Sequence, residues 1–230
     1  MKTKYLELDD IKIAYCEYGS GPNLLLLHGN SENKSIFKKH QLKYFKSFHT
    51  FAIDSRGHGQ SISEDSEYSI EQYSNDIINF CKKLGINKTN VIGFSDGGNI
   101  CLFLAKKQPE MFEKIVALSP NYLVDGTTDK ALKFINRTYK IFLFMDKLYK
   151  YKIFLFMDKS HFQMKKNIMR WELMLKDIGI SDNELKEIRA NMYIMYAGKD
   201  MIKEEHILKM VELIKDCKVK RIENCTHSNI

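Results

Sequence analysis

A chain of 230 residues is enough for one domain with room for an inserted subdomain. Hydrophobic residues make up 44% and charged residues 28%, a balance that excludes a disordered chain and supports a sizeable core. The formal net charge of +7 raises nucleic-acid binding. No helix-turn-helix, zinc or RNA-binding signature accompanies it, and the lysines are spread along the chain among Glu and Asp, as on a solvated surface.

Five cysteines, at 16, 81, 101, 217 and 225, are odd in number and irregularly spaced, which argues against a disulfide framework or a zinc site. Met1 to Asp10 has no apolar signal-peptide segment, and no apolar run approaches the roughly 20 residues of a membrane span. A cytoplasmic protein is expected.

In chain order, residues 4–8 and 11–18 read as two strands joined at Asp9-Asp10, with Ile11, Ile13 and Tyr15 set against Lys12 and Ala14. Leu24 to Leu27 is too short for a helix and reads as a strand buried on both faces; it ends in His28-Gly29-Asn30-Ser31. Residues 34–46 read as a weak helix. Thr50 to Ile53 is another buried strand, ending in Asp54-Ser55-Arg56-Gly57-His58-Gly59-Gln60-Ser61. Ser69 and Gln72 have capping-box spacing ahead of a helix whose apolar stripe is Tyr73, Ile77, Phe80 and Leu84, and Gly85 stops it.

The strand at 89–93 runs into Gly93-Phe94-Ser95-Asp96-Gly97-Gly98, and a small-residue helix, Asn99 to Ala105, runs out of it. Lys114 to Leu118 is a further buried strand, ending at Ser119. This alternation of strand and helix implies a parallel sheet with helices on both faces. It resumes with a strand at 192–196 ending in Ala197-Gly198-Lys199-Asp200, a helix at 203–216, and a strand at 218–222 leading into Asn224-Cys225-Thr226-His227.

Residues 123–190 break the rhythm. They are rich in Lys, Met and aromatic residues and read as helical, with Ser181 and Glu184 at capping-box spacing. They are expected to form a helical cap inserted after the sixth strand, over the carboxyl ends of the strands where open α/β sheets bind ligands. Residues 1–122 and 191–230 remain as the core. Within the cap, Tyr139 to Lys147 recurs as Tyr151 to Lys159, an offset of 12. That offset turns a helix by about 120°, so either the helix breaks near 148–150 or one apolar face turns away from the core. The copies either wall a substrate pocket or are a tandem duplication that packs where it can.

Nucleophilic acyl chemistry needs an activated hydroxyl, a base, an acid that orients the base, and donors for an oxyanion. Ser95, His227 and Asp200 each follow a predicted strand. Glycines at 93 and 97 permit a sharp turn that exposes the Ser95 hydroxyl at a helix N-terminus. The backbone N–H groups of Asn30 and Asp96 are the expected oxyanion donors.

Gly-Phe-Ser-Asp-Gly-Gly is similar to the nucleophile elbow of the α/β-hydrolase superfamily, His28-Gly29 resembles its oxyanion strand end, and Asp54 to Ser61 looks like its Asp-x-Arg-Gly-x-Gly-x-Ser loop. The order Ser, Asp, His is the one that family uses. The resemblance covers residues 1–122 and 191–227. It implies an α/β-hydrolase fold with a mostly parallel, doubly wound sheet, and a serine hydrolase acting on an ester-like carbonyl through an acyl-enzyme; Phe94 and the Met- and Phe-rich insertion favour a small or medium apolar acyl group. It implies no metal and no organic cofactor.

Phe94, beside the nucleophile, and His28, similar to the family's structural histidine, border the expected pocket. Asp125 is the rival acid, and Asp200 itself is placed to cap the 203–216 helix. Asp96 is the rival nucleophile, as in dehalogenases and epoxide hydrolases of the superfamily, although the elbow register centres on Ser95. His206 lies on an amphipathic helix and is expected to be exposed.

Other uses of the same fold remain open: a binding protein with an idle triad, or an acyltransferase or haloperoxidase-type enzyme. A C–C bond hydrolase is a closer variant, but its glycine-rich oxyanion loop is missing after His28-Gly29. The chain ends at Ile230, three residues beyond His227, so the helix that usually follows in this fold is expected to be absent. The exposed cap and the uncovered C-terminal edge are the surfaces offered for oligomer contacts; a small-molecule substrate is the expected partner, with no nucleic acid and no membrane span.

Overall fold

The buried runs pair side by side at the centre of one sheet. The computed structural model describes residues 1–64, 67–150 and 158–230. Its strands are β1 (Lys4–Glu7), β2 (Ile11–Tyr18), β3 (Asn23–Leu27), β4 (His49–Ile53), β5 (Ile62–Ser63), β6 (Thr89–Phe94), β7 (Phe112–Leu118), β8 (Asn191–Lys199) and β9 (Lys218–Thr226). The order across the sheet is β1-β2-β4-β3-β6-β7-β8-β9, with β5 paired to β2. From β4 to β9 every pairing is parallel, while β1, β2 and β5 pair antiparallel. The strand expected as the sixth is therefore the seventh. Ile62–Ser63 adds a strand too short to show alternation in sequence.

β3 sits between β4 and β6, and Leu25, Leu26 and Leu27 are fully buried. That position explains a continuous leucine run where an edge strand would alternate. The core helices are α1 (Lys38–Lys43), α2 (Ile70–Lys83), α3 (Asp96–Lys107) and α7 (Glu204–Leu213). α2 is capped by the Ser69 hydroxyl, which accepts from the Gln72 N–H at 3.1 Å. Its stripe joins Phe80 and Tyr73 to the main core with Val91, Ile100 and Phe103. Cys16, Cys81 and Cys101 are buried as small apolar residues.

Arg56 is among the largest fully buried side chains. Its Nε and Nη2 donate to the two oxygens of Asp76 at 2.9 and 2.7 Å, and Nη2 also reaches Asp10. A buried guanidinium is tolerated because carboxylates accept it in this fork geometry.

Between β7 and β8 lie α4 (Asp129–Lys150), α5 (Asp158–Leu173) and α6 (Asp182–Glu187). α6 begins with the capping box read from Ser181 and Glu184. The first copy of the repeat lies wholly within α4. There Phe142 approaches Trp171 of α5, with ring centroids 6.2 Å apart, while Ile141, Phe144 and Met145 are exposed. Most of the second copy, residues 151–157, lies outside the described residues.

α7 is shorter than the 203–216 helix expected, and Lys203, not Asp200, stands at its N-cap. His206 is buried, against expectation. Its ring stacks on Tyr122, centroids 4.7 Å apart, and its Nε2 accepts the Tyr122 N–H at 3.2 Å. β9 extends to Thr226 and carries His227 directly at its carboxyl end. No helix among the described residues is long and apolar enough to cross a membrane.

Candidate active site

Ser95 stands between β6 and α3 with φ 52 and ψ −114, a conformation that L-residues rarely adopt. The turn is possible because two glycines let backbones close up. A Cβ on Gly93 would lie 2.0 Å from the Gly97 carbonyl oxygen, and one on Gly97 would lie 2.2 Å from the Leu27 carbonyl oxygen. The Ser95 N–H is held by the Leu118 carbonyl at 2.8 Å, which anchors the turn to β7.

The three side chains read from sequence meet at the carboxyl ends of β6, β8 and β9. His227 Nε2 lies 3.1 Å from Ser95 Oγ, and His227 Nδ1 lies 2.6 Å from Asp200 Oδ1. With Nδ1 donating to the carboxylate, Nε2 is left to accept the serine proton. Asp200 is held in turn by three donors: the Ser119 hydroxyl at 2.5 Å, the Ala197 N–H at 2.9 Å and the Ile202 N–H at 3.1 Å. Burial acts to raise its pKa. The hydrogen bond and charge of His227, with the Ser119 and Ala197 donors, outweigh that and hold it below the usual value. Ser119 was not singled out by sequence, although its place at the end of β7 was the available signal. The rival acid Asp125 lies in the 3₁₀ turn Val124–Gly126, where its charge acts on His206.

Asp96 is the first residue of α3 and its side chain is buried. Asn30 Nδ2 donates to Asp96 Oδ2 at 3.0 Å and to the Arg170 carbonyl of α5 at 2.8 Å, so the loop after β3, the turn at Ser95 and α5 converge on one amide. Burial pushes the Asp96 carboxyl up to about 6, aided by Glu32 and opposed by Asn30 and His227. His28 lies behind the end of β3. It is 1% exposed, its Nε2 accepts the Ser55 N–H at 3.1 Å, and its pKa is lowered by burial. It braces two loops and does not line the cleft. His58 is likewise buried, and its Nε2 accepts the Ser31 N–H at 3.1 Å.

The cleft has two lobes that share Ser95, Ile135, Met174 and Met201. The larger, about 170 Å³, adds Phe94, Glu32, Phe134, Trp171 and His227. The Phe94 ring centroid lies 5.1 Å from that of His227. Glu32 was missed by sequence. It lies five residues beyond the end of β3, where the loop turns back so that its Oε2 accepts the Gly29 N–H at 2.9 Å.

A sheet of this order, a strained serine at its centre and a histidine and carboxylate on neighbouring strand ends define an α/β-hydrolase architecture. The family model described as alpha/beta hydrolase fold matches residues 22–149, over half of the chain. The chain belongs to that family. Among curated proteins it is 28% identical over 116 residues to a 2-(acetamidomethylene)succinate hydrolase of Mesorhizobium japonicum, a match that spans 50% of this chain and 42% of that one. The chain spans less than half the length of the curated relative it matches there.

Among solved structures, an α/β-hydrolase enzyme from a Medee basin deep-sea metagenome library superposes with a TM-score of 0.81 at 16% identity, covering 98% of this chain and 90% of that one. An enol-lactonase from Burkholderia xenovorans gives a TM-score of 0.73 at 18% identity, covering 95% and 91%. At such identities the likeness is one of fold.

Proposed function

We propose that the chain is a serine hydrolase that cleaves a small or medium ester-like substrate through an acyl-enzyme. The observation that carries this reading is the hydrogen-bonded line from Asp200 through His227 to Ser95. Ser95 Oγ attacks the carbonyl carbon as His227 Nε2 takes its proton. Asp200 holds the imidazole with Nδ1 protonated and stabilises the imidazolium.

The carbonyl oxygen becomes an oxyanion facing the backbone N–H groups of Asn30 and Asp96, the second of them at the positive end of α3. Collapse expels the leaving group with the proton from His227. Water, deprotonated by the same histidine, then releases the acyl group. Apolar side chains around the cleft, among them Phe94, Ile135 and Met201, favour an apolar group beside the carbonyl. The name of the curated relative, a 2-(acetamidomethylene)succinate hydrolase, is consistent with a carbonyl substrate.

Ser95→Ala is expected to lose p-nitrophenyl acetate turnover by about 10³-fold or more and to abolish labelling by a fluorophosphonate probe. Labelling that persists in the variant would overturn the assignment of Ser95. A wild-type chain that resists the probe yet binds an apolar ligand would instead favour a binding protein.

A further inference from the structure

The larger lobe of the cleft is aromatic and carries a carboxylate. Phe94, Phe134 and Trp171 present rings to it, and Phe134 and Trp171 meet edge to face with centroids 5.8 Å apart. Glu32 is the one acidic residue among the described residues that line it, and no lysine or arginine joins them. The lysine of the neighbouring lobe, Lys176, is paired with Glu172 at 2.8 Å.

Glu32 is close to the chemistry. Its Oε2 and the Ser95 Cβ each lie 3.0 Å from the Cβ that a side chain at residue 29 would carry, which holds the two atoms within 6.0 Å (twice 3.0 Å) of one another. A carboxylate at that range repels the negative charge that builds on the substrate carbonyl. A substrate bringing its own positive charge reverses the sign of that interaction. Aromatic faces beside a carboxylate are what an ammonium group binds best when it leaves water.

We propose that this lobe receives an ammonium group, quaternary or primary, so that the substrate class is an ester or amide bearing a cation a few bonds from the scissile carbonyl. The cation sits between Glu32 and the rings of Trp171 and Phe134 while the carbonyl faces Ser95. Turnover of such a substrate rests on the acyl-enzyme reading of Ser95, whereas binding of the cation does not.

Trp171 is the only tryptophan in the chain, so its fluorescence reports the lobe directly. Choline and 3,3-dimethyl-1-butanol, which has carbon in place of the charged nitrogen, are titrated against the full chain and followed by Trp171 emission and by calorimetry. Choline is expected to bind about tenfold or more tightly than the neutral alcohol. Glu32→Gln, which keeps an acceptor for the Gly29 N–H, is expected to remove most of that difference. Absence of saturable choline binding, equal affinity for the two alcohols, or an unchanged difference in Glu32→Gln would overturn the proposal.

In parallel, acetylthiocholine is compared with S-(3,3-dimethylbutyl) thioacetate, with the ratio of kcat/KM expected to favour the cation and to fall in Glu32→Gln. Equal kcat/KM alongside intact Ser95 labelling defeats the cation site alone. Loss of all turnover and labelling defeats the acyl-enzyme reading and leaves the titration to decide the site.

Discussion

Asp96 shows how one buried residue couples the site to stability. Its carboxyl is raised from the usual 3.8 to about 6, chiefly by burial. Between those values the folded chain holds a proton that the unfolded chain has released, so stability falls as pH rises through this window. Above about pH 6 the ionised, buried group carries a constant cost of about 3 kcal/mol. Asp96→Asn keeps an oxygen to accept from Asn30 Nδ2 and leaves the backbone N–H in place, but has no charge to bury. The stability of the variant minus that of wild type is expected to grow from pH 4 to pH 7 and then level off. Urea denaturation across that range measures it, and a difference independent of pH would show that the carboxyl is not raised.

At the scale of elements, the site depends on how closely α3 approaches β3. Gly97→Ala would place a methyl group 2.2 Å from the Leu27 carbonyl oxygen, and both are backbone-fixed, so the helix must move. A loss of about 3 kcal/mol or more is expected, read as a lower urea midpoint, with Ser95 probe labelling slowed as the elbow shifts. An unchanged midpoint would mean that the packing of α3 on β3 is loose. This part of the site was legible in sequence because it is local: Gly93 and Gly97 flank Ser95 within one turn, and Leu24 to Leu27 must be a buried strand whatever lies beside it. What stayed hidden depends on distant contacts. The periodicity of α7 predicts an exposed His206, but the amide it accepts from is that of Tyr122, 84 residues away. Ser119 and Glu32 look like ordinary loop residues until β8 brings Asp200 to the first and the elbow brings Ser95 to the second. The capping box at Ser181 and the N-cap bond at Ser69 each rest on a spacing of three residues, which the sequence displays directly.

Across the whole molecule, the loop after β3 ties the end of the sheet to α5. Asn30 Nδ2 donates both to Asp96 in the core and to the Arg170 carbonyl in α5, one residue before Trp171. The residue proposed to supply an oxyanion N–H therefore also holds α5, so the position of α5 and the proposed oxyanion geometry are coupled through one side chain. Asn30→Ala keeps the backbone N–H and removes both Nδ2 bonds, together with the bond its Oδ1 accepts from the Ser31 hydroxyl. The expected result is greater quenching of Trp171 by acrylamide, because α5 has lost its tether, and a fall in kcat/KM of about tenfold. That is near the 1.4 kcal/mol of one or two modest hydrogen bonds. The fall should appear more in KM than in kcat if the cap loosens while the N–H stays aligned, and more in kcat if the loop itself is displaced. Unchanged quenching together with unchanged kinetics would show that α5 is held in place by its apolar contacts with α4, Trp171 with Phe134 and Phe142, and that the Asn30 bond to Arg170 adds nothing.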